Sequence, residues 1–315
     1  MQYVPLGASG LTVSRLCGGT LTVGPLQKDL SLDEGSAVLA HAMSRGVTFF
    51  DTAQLYETYP YLREAMRRCG KYNCVISSKT YAYTREMAIE AVEQARRELD
   101  RDYIDIFMLH EQESVYTLEG HKEALDVLYE YKAKGVIRAV GASMHHIAAV
   151  HGATEKGLDV IHPLINVAGL GIVDGTREQM ESALRAAKSQ GIGVFSMKPL
   201  GGGNLFPRAA ECLRYLLTAD FTDAVAIGLQ SVEEVDANIE FFETGSFSPK
   251  AQQNLAAKQR RLHIDEWCTG CGTCAARCPQ QALSVQNGRC VCAHSRCLLC
   301  GYCSSVCPMW AIKVV

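Results

Sequence analysis

The sequence predicts a (β/α)8 barrel of the α/β class, followed by a small cysteine-rich α+β domain. Short apolar runs alternate with amphipathic stretches eight times within the first 245 residues, which is the pattern of parallel strands that are each followed by a helix. Ten of the 14 cysteines lie in the last 51 residues. At 315 residues, the chain also exceeds the ~100–200 residues of a typical single domain, so two units fit its length.

Composition excludes several classes of function. Apolar residues make up 48% of the chain, and 31 basic against 34 acidic side chains leave a formal net charge of −3, which disfavours general electrostatic binding to nucleic acid. No stretch approaches the ~20 apolar residues of a membrane helix, and the N-terminus lacks the basic and then apolar pattern of a signal peptide. We therefore expect a soluble, cytoplasmic protein without nucleic-acid or membrane partners.

The barrel is expected to occupy residues 1–245. Its strand candidates, in chain order, are Ser14–Gly18, Thr48–Asp51, Cys74–Lys79, Tyr103–His110, Val136–Ala142, Val160–Asn166, Gly193–Met197 and Ala224–Ile227. The helical patterns between them include Asp33–Arg45, Thr84–Leu99, Leu118–Lys134, Arg177–Gln190 and Val232–Phe242. An open doubly wound sheet is the alternative topology, but no G-x-G-x-x-G motif follows the first strand. Residues 246–264 have the pattern of a helical linker, which leaves 265–315 as the small domain.

Four titratable side chains lie at or just after the ends of strands 2 to 4. Asp51, Lys79 and His110 close these strands, and Tyr56 follows Asp51 at the opening of a helix. Because the carboxyl ends of barrel strands share one face, all four should meet at one barrel mouth. A neighbouring ammonium lowers the pKa of a tyrosine, and a carboxylate holds that ammonium in place. We expect Tyr56 to protonate a carbonyl oxygen, Lys79 and Asp51 to tune it, and His110 to orient the substrate.

The C-terminal cysteines form the motif C-x2-C-x2-C-x3-C-P twice. In this motif, three thiolates bind one [4Fe–4S] cluster and the fourth cysteine binds the other cluster. The expected ligand sets are Cys268, Cys271, Cys274 and Cys307 for one cluster, and Cys297, Cys300, Cys303 and Cys278 for the second. Disulfides do not suit cysteines this closely spaced, and zinc would use two pairs rather than two runs of four. Cys290 and Cys292 are interpreted as core filler of a strand, with spare cluster ligands as the alternative.

Three short motifs resemble the Asp, Tyr, Lys and His tetrad of the aldo/keto reductases: Asp51-Thr-Ala-x-x-Tyr56, Ser77-Ser-Lys79 and Leu109-His110. The resemblance runs from Leu6 to Asn238. Residues 265–315 resemble a bacterial-type two-cluster ferredoxin, so the whole chain is similar to the iron–sulfur-containing branch of that superfamily. The resemblance implies NAD(P)(H) as a hydride carrier at the strand ends, beside the two [4Fe–4S] clusters.

The same resemblance implies a set of nicotinamide-cofactor contacts. They are Ser143 and Asn166 at the carboxamide, then Lys198, Leu200, Gly201, Gly202 and Gly203 over the pyrophosphate, and Gly228, Gln230 and Asn238 at the adenosine phosphate. This sequence departs from the family pattern with His162 in place of a glutamine and Met197 in place of a stacking tyrosine. Gln230 and Glu234 stand where basic residues are common, and a carboxylate repels a 2′-phosphate. NAD is therefore expected at least as readily as NADP.

These features together predict an oxidoreductase that interconverts a carbonyl and an alcohol. Tyr56 is the expected general acid or base, nicotinamide the hydride carrier, and the two clusters an electron relay. One alternative is a reductase fed through the clusters without NAD(P)H, and another is an electron-transfer subunit on an inactive barrel. The expected partners are a small carbonyl or alcohol substrate and an electron-transfer protein that exchanges electrons with the clusters.

Overall fold

The structure is a computed structural model that describes residues 1–70 and 72–315, and it confirms the closed (β/α)8 barrel. An N-terminal hairpin of β1 (Tyr3–Pro5) and β2 (Thr12–Ser14) precedes the barrel. The barrel strands are β3 (Leu16–Gly19), β4 (Phe49–Asp51), β5 (Val75–Thr80), β6 (Ile104–Gln112), β7 (Ile137–Met144), β8 (Val160–Pro163), β9 (Gly193–Ser196) and β10 (Ala224–Gly228). They pair in parallel in chain order, and β10 closes the barrel on β3. Each predicted strand overlaps one of them.

Helices surround the barrel and bury their apolar faces against its outside. They are α1 (Leu32–Ser44), α2 (Tyr59–Cys69), α3 (Arg85–Leu99), α4 (Val115–Gly120), α5 (Lys122–Ala133), α6 (Ile147–Glu155), α7 (Arg177–Ser189), α8 (Ala209–Leu217) and α9 (Val232–Thr244). The single helix predicted over Leu118–Lys134 is wrong: α4 and α5 are separate helices that meet at His121. Gly120 ends α4, as expected for the residue with the lowest helix propensity after proline. Among residues 1–70 and 72–315, no helix is both long and apolar enough to cross a membrane.

The N-terminal hairpin closes the amino-terminal end of the barrel. Leu6, Leu11 and Val13 are buried in the same cluster as the inward-facing Phe49 and Phe195. The connection between the hairpin strands lies against the first residue of β9, since a Cβ added to Gly7 would lie only 2.3 Å from the Gly193 nitrogen. With this end filled, a ligand can approach the interior only from the carboxyl ends of the strands, where barrel enzymes carry their sites.

The C-terminal part of the chain forms a small α+β unit. Its elements are α10 (Pro249–Ala256), β11 (Leu262–Ile264), α11 (Thr273–Arg277), β12 (Leu283–Gln286), β13 (Arg289–Cys292) and β14 (Ile312–Val314). β12 pairs with β13, and β11 pairs antiparallel with β14. The predicted helical linker is therefore helical only at α10, because its last residues form a strand of the small domain. The core of this domain consists of a few aliphatic side chains among the cysteines.

The small domain lies on the carboxyl face of the barrel. The Val314 N–H of β14 donates to the Gly202 carbonyl at 2.8 Å, in the loop that follows β9. The Asn204 amide donates to the Ile312 carbonyl at 3.4 Å in the same loop. The ring of Trp310 reaches Gly171, where an added Cβ would lie 2.9 Å from the indole. This contact between the two domains determines what surrounds the barrel mouth.

Candidate active site and cluster domain

The structure brings the four predicted tetrad residues together at the carboxyl face. Asp51 ends β4, Lys79 lies in β5 and His110 in β6, and Tyr56 lies in a short 3-10 turn (Gln54–Tyr56) before α2 rather than in a helix. The Tyr56 hydroxyl lies 3.5 Å from His110 Nε2. The Lys79 ammonium lies 4.9 Å from the centroid of the Tyr56 ring. A carbonyl oxygen placed between the Tyr56 hydroxyl and His110 would thus meet two polar groups at once.

A buried ion pair between Lys79 and Asp51 lies next to Tyr56 and His110. The Lys79 Nζ donates to both Asp51 carboxylate oxygens at 2.9 and 2.7 Å and to the Thr52 carbonyl at 2.7 Å. His162 Nε2 lies 3.6 Å from the same carboxylate, and its Nδ1 donates to the Phe195 carbonyl at 2.6 Å. Burial alone would raise the pKa of Asp51, but attraction to Lys79 and His162 outweighs burial and lowers it. Asp51 is therefore held as a carboxylate.

The pKa of Tyr56 moves in the direction opposite to the one expected from the sequence. Burial raises it well above the usual value, and the negative charges of Asp51 and Glu111 raise it further. Lys79 does not offset this rise in pKa, because its donors are directed to Asp51 and Thr52 and its charge is largely compensated. Burial and the charge of Lys79 also lower the pKa of His110 well below its usual value. At neutral pH the pair consists of a neutral phenol and a neutral imidazole.

Both predicted carboxamide contacts, Ser143 and Asn166, have hydrogen-bond partners within the barrel. The Ser143 hydroxyl, at the end of β7, accepts a hydrogen bond from the Glu111 N–H at 2.9 Å. The Asn166 amide donates to the Leu170 carbonyl at 2.8 Å, and its oxygen accepts the N–H groups of Ala168 and Leu170. Asn166 thereby organises the loop after β8, and its amide group is occupied by backbone partners.

The predicted pyrophosphate loop is covered by the C-terminal strand. A Cβ added to Gly203 would lie 2.1 Å from the Val314 carbonyl oxygen, and one added to Gly202 would lie 2.8 Å from the Lys313 side chain. Leu200 and Gly201 continue the same tight turn, in which the Leu205 N–H donates to the Leu200 carbonyl at 2.9 Å. No pyrophosphate fits between these glycines and β14 while the two are in contact.

Lys198 opens that loop and faces the domain interface. Its backbone has a φ of 57°, in the left-handed region that is costly for a residue with a side chain. Its Nζ lies 2.8 Å from His145 Nε2 and 5.8 Å from the centroid of the Trp310 ring. Burial, together with repulsion from Lys313, lowers the pKa of Lys198 to about 7. Within the part of the chain that the structure describes, no carboxylate oxygen comes within 4 Å of this ammonium.

The predicted adenosine-phosphate region receives basic residues from the segment that leads to the small domain. Lys258 contacts Ser231 and lies 3.7 Å from Glu234, and Arg260 lies 3.9 Å from Glu234. Glu234 also accepts the Gln230 N–H at 3.1 Å, Asn238 is half-buried on α9, and Gly228 lies against Thr22. The expectation of NAD at least as readily as NADP was drawn from Gln230 and Glu234, and the structure adds two basic residues close to Glu234, Lys258 and Arg260. With the pyrophosphate loop covered by β14, the residues at the barrel mouth do not fit a dinucleotide while the small domain is docked.

The cysteines of the small domain surround two cavities. The cysteines that line one of them are Cys278, Cys297, Cys300 and Cys303, which is one of the predicted ligand sets. The cysteines that line the other are Cys268, Cys271, Cys274 and Cys307, which is the other set, together with Cys290. Backbone N–H groups of Ala282 and Ala311 donate to Cys278 and Cys307 at 3.3 and 3.4 Å. Among the described residues, no three metal-binding side chains converge on a point that would hold a single ion. The sulfurs are spread around cavities, as the chemistry of a cluster requires.

Several residues at the barrel mouth were missed by the sequence analysis as parts of the site. Trp310 and Lys313 come from the cysteine-rich tail, and their position depends on how the domains dock, for which a single sequence gives no signal. The indole nitrogen of Trp310 and Nδ1 of His110 are buried and have no hydrogen-bond partner among the described residues. His145 had a signal in the His145-His146 pair just after Ser143. Unpaired polar atoms at a barrel mouth indicate where a substrate could bind.

Comparison with known proteins gives a consistent result for both domains. A model of the aldo/keto reductase family matches residues 15–211, and a model of the 4Fe–4S binding domain matches residues 263–284.

A probable voltage-gated potassium channel subunit beta of Arabidopsis thaliana is 27% identical over 224 residues, which are 65% of this chain and 66% of that protein. An aldo-keto reductase of Bacillus subtilis is 27% identical over 228 residues, 67% of this chain and 66% of that protein. The chain thus spans about two thirds of the length of these relatives. An aldo-keto reductase structure from Bacillus halodurans has the same fold, with a TM-score of 0.67 at 20% identity, covering 81% of this chain and 95% of that one.

Proposed function

Because the chain belongs to the aldo/keto reductase family, we propose that its barrel interconverts a carbonyl and an alcohol, with Tyr56 as proton donor and acceptor and the 4Fe–4S domain as the source of electrons. The observation that carries this proposal is the seating of the small domain on the tetrad's own face of the barrel, with β14 against Gly202. Electrons that reach this domain are delivered to the same mouth at which Tyr56 and His110 meet.

The electron count supports two clusters. Reduction of a carbonyl to an alcohol takes two electrons and two protons, and the two clusters, when bound, supply one electron each. Cys268, Cys271, Cys274 and Cys307 would hold one, and Cys278, Cys297, Cys300 and Cys303 the other. The electrons enter from an external one-electron carrier. A carbonyl conjugated to a ring or a second carbonyl accepts electrons singly more readily than an isolated one, so we infer a conjugated substrate.

The chain's own residues supply the proton chemistry. With its pKa raised, Tyr56 stays protonated and can donate its hydroxyl proton to the carbonyl oxygen as negative charge develops there. The neutral imidazole of His110, 3.5 Å away, orients that oxygen by a second hydrogen bond. Lys79 packs against the ring of Tyr56 and helps to fix its position, and Asp51 neutralises the charge of the Lys79 ammonium. The second proton comes from solvent.

The position of Lys198 indicates that the substrate carries an anionic group. It is a lysine at the barrel mouth that no described carboxylate pairs with, and the buried indole N–H of Trp310 lies in the same region. A carboxylate or phosphate placed there would receive charge-assisted hydrogen bonds, which are stronger than neutral ones. We therefore infer an acidic carbonyl compound as the substrate class.

A second candidate is hydride transfer from a nicotinamide cofactor. Family membership favours it, and it requires β14 to leave Gly202 and Gly203, since the loop and the strand are in direct contact. The two candidates differ in what they need from the small domain. In the first it stays docked during turnover, and in the second it has to move.

An anaerobic experiment separates the two candidates. The holoprotein is reduced with dithionite, freed of excess reductant, and mixed with benzoylformate, a conjugated oxoacid, while cluster absorbance is followed. Reoxidation of the clusters with formation of the alcohol, and no turnover with NADH or NADPH alone, supports the first candidate. Steady alcohol formation from NADH or NADPH with unchanged cluster absorbance would support the second candidate and overturn the first.

A further inference from the structure

One of the two cluster cavities is lined by five cysteines. Besides Cys268, Cys271, Cys274 and Cys307, the wall of this cavity includes Cys290. Among the described residues, the cysteines that line the other cavity are its four expected ligands, and Cys292 does not line it. A [4Fe–4S] cluster with four cysteine ligands has no coordination position for a fifth sulfur. Cys290 therefore lies at the first cluster site without a place in its expected ligand set.

Cys290 contacts two of the expected cluster ligands, one through its side chain and one through its backbone. It lies on β13 opposite Val285, and its side chain is 4% exposed. Its Sγ lies 3.4 Å from the Sγ of Cys274, and its backbone N–H donates to the Sγ of Cys268 at 3.4 Å. β13 thus places a thiol next to one ligand while its own backbone binds another. A residue that served only to fill the core could be any small apolar side chain, because filling requires volume but no sulfur.

We propose that Cys290 is a reserve ligand for the cluster held by Cys268, Cys271, Cys274 and Cys307, and that it binds the iron of Cys274 when that ligand is released. The inference rests on the cluster part of the proposed function. In the exchange, the Fe–S bond to Cys274 breaks and that sulfur takes up a proton. The Cys290 thiol gives its proton to solvent as its own Fe–S bond forms. No electron is gained or lost, so the exchange needs no oxidant or reductant.

The two cavities provide a matched pair of variants for the test. Cys274 and Cys303 are the third cysteines of their respective runs, but only Cys274 has a cysteine reserve beside it. Holoprotein is prepared anaerobically as wild type, Cys274→Ala, Cys303→Ala and Cys274→Ala with Cys290→Ala. Iron, acid-labile sulfide and the electron paramagnetic resonance of the dithionite-reduced protein are measured for each.

The expected result is about eight irons per chain in wild type and in Cys274→Ala, and about four in Cys303→Ala and in the double variant. The resonance of Cys274→Ala should be altered in shape, because Cys290 replaces Cys274 as one of the four cluster ligands. Cys274→Ala with about four irons overturns the proposal, and so does a double variant that keeps about eight. Wild type with well under eight irons would instead contradict the two-cluster part of the proposed function.

A second measurement applies if the Cys274 variants do not accumulate as folded protein. Cys290→Ala leaves all eight expected ligands in place, and so does Cys212→Ala, a control that removes a buried thiol from the barrel helix α8. Under an iron chelator, Cys290→Ala should lose its first four irons several-fold faster than wild type, because a released Cys274 is no longer replaced. Cys212→Ala should lose iron at the wild-type rate. Equal rates for all three proteins would overturn the proposal.

Discussion

At the scale of single residues, burial and hydrogen bonding set the protonation states of Asp51, Tyr56 and His110. The strand ends gave Asp51, Lys79 and His110 their common face, which follows from barrel topology alone. The pKa of Tyr56 depends instead on burial and on how Lys79 distributes its hydrogen bonds between Asp51 and Thr52. Those are three-dimensional quantities, and the expectation drawn from proximity alone had the wrong sign.

Removing the Tyr56 hydroxyl tests its proposed role directly. Tyr56→Phe keeps the ring over Lys79 and removes the proton donor, so the rate of cluster reoxidation by benzoylformate should fall by about 10²–10⁴. Iron content should stay at the wild-type level. Tyr83→Phe is the control, because Tyr83 is exposed and packs on His121 rather than on the tetrad. Unchanged reoxidation in Tyr56→Phe would place the proton donor elsewhere.

The buried ion pair predicts a pH-dependent loss of stability in a variant that breaks it. Lys79→Met leaves the Asp51 carboxylate buried without its main cation, which costs about 3–5 kcal/mol of unfolding free energy at pH 7. Pairing lowers the pKa of Asp51 in the folded protein, so its contribution is present at neutral pH and is lost as pH falls through the acid range. The deficit of Lys79→Met should therefore shrink as the pH falls below ~4, the usual pKa of an aspartate in an unfolded chain. Lys79→Met with Asp51→Asn should recover much of the loss in urea titrations followed by circular dichroism, and a double variant as unstable as the single one would contradict the account.

Lys198 should titrate near neutrality. Burial and repulsion from Lys313 lower its pKa to about 7, whereas hydrogen bonding to Asp126 raises the pKa of Lys122 above its usual value. Acetic anhydride reacts with the unprotonated amine, so labelling of Lys198 measured by mass spectrometry should rise with a midpoint near pH 7. Labelling of Lys122 should still be rising above pH 9. A Lys198 profile that follows that of Lys122 would show that the ammonium is solvated rather than buried at the interface.

At the scale of elements, the strands were predicted better than the helices. A parallel strand buried on both faces is a nearly continuous apolar run, so β6 and β10 stand out in the sequence. α6 was not among the predicted patterns, since its nine residues carry little contrast between apolar and polar faces. The glycine loop after β9 was recognised for its composition, but its partner was not. Sequence reasoning assigned those glycines to a pyrophosphate, and the structure places β14 against them.

The contact between β14 and this loop predicts a specific effect of adding a single methyl group. Gly203 has a φ of 84°, and a Cβ there would lie 2.1 Å from the Val314 carbonyl oxygen, so Gly203→Ala should push β14 away. The matched control is Gly245→Ala, whose φ of 77° brings similar backbone strain but which has no atom within 4 Å of an added Cβ. Hydrogen exchange of the Val314 amide should accelerate in Gly203→Ala alone. Equal exchange in the two variants would mean that the strand is not held by this loop.

At the scale of the whole molecule, the two domains differ in what stabilises them. The barrel has a large apolar core of its own, which extends from its interior to the helices around it. The core cluster of the small domain, as far as the structure describes it, buries just three aliphatic side chains beside its cysteines: Leu262, Leu283 and Ile312. Units of this size rarely fold on apolar burial alone. The cysteine spacing made it possible to predict from the sequence that the small domain depends on its clusters rather than on an apolar core. The docking of the domains through Trp310 and Lys313 was not predictable, because it depends on the shapes of both surfaces.

This asymmetry predicts separate responses to removal of the clusters. Where a metal centre replaces a core, its binding free energy is the folding free energy of the domain, so chelation of the iron under reducing conditions should unfold the small domain and leave the barrel intact. Lys258 and Arg260 precede β11 and lie partly buried against the barrel, and trypsin should cut there only after the iron is removed. The amide of Val314 should lose its protection at the same time, because β14 can pair with Gly202 only while the domain is folded. Mass spectrometry of the digest and far-UV circular dichroism of the remaining fragment provide the measurement. If iron-free protein resists trypsin at these sites as well as the holoprotein does, the apolar contacts and the docking to the barrel are sufficient to hold the domain, and the clusters are not its main source of stability.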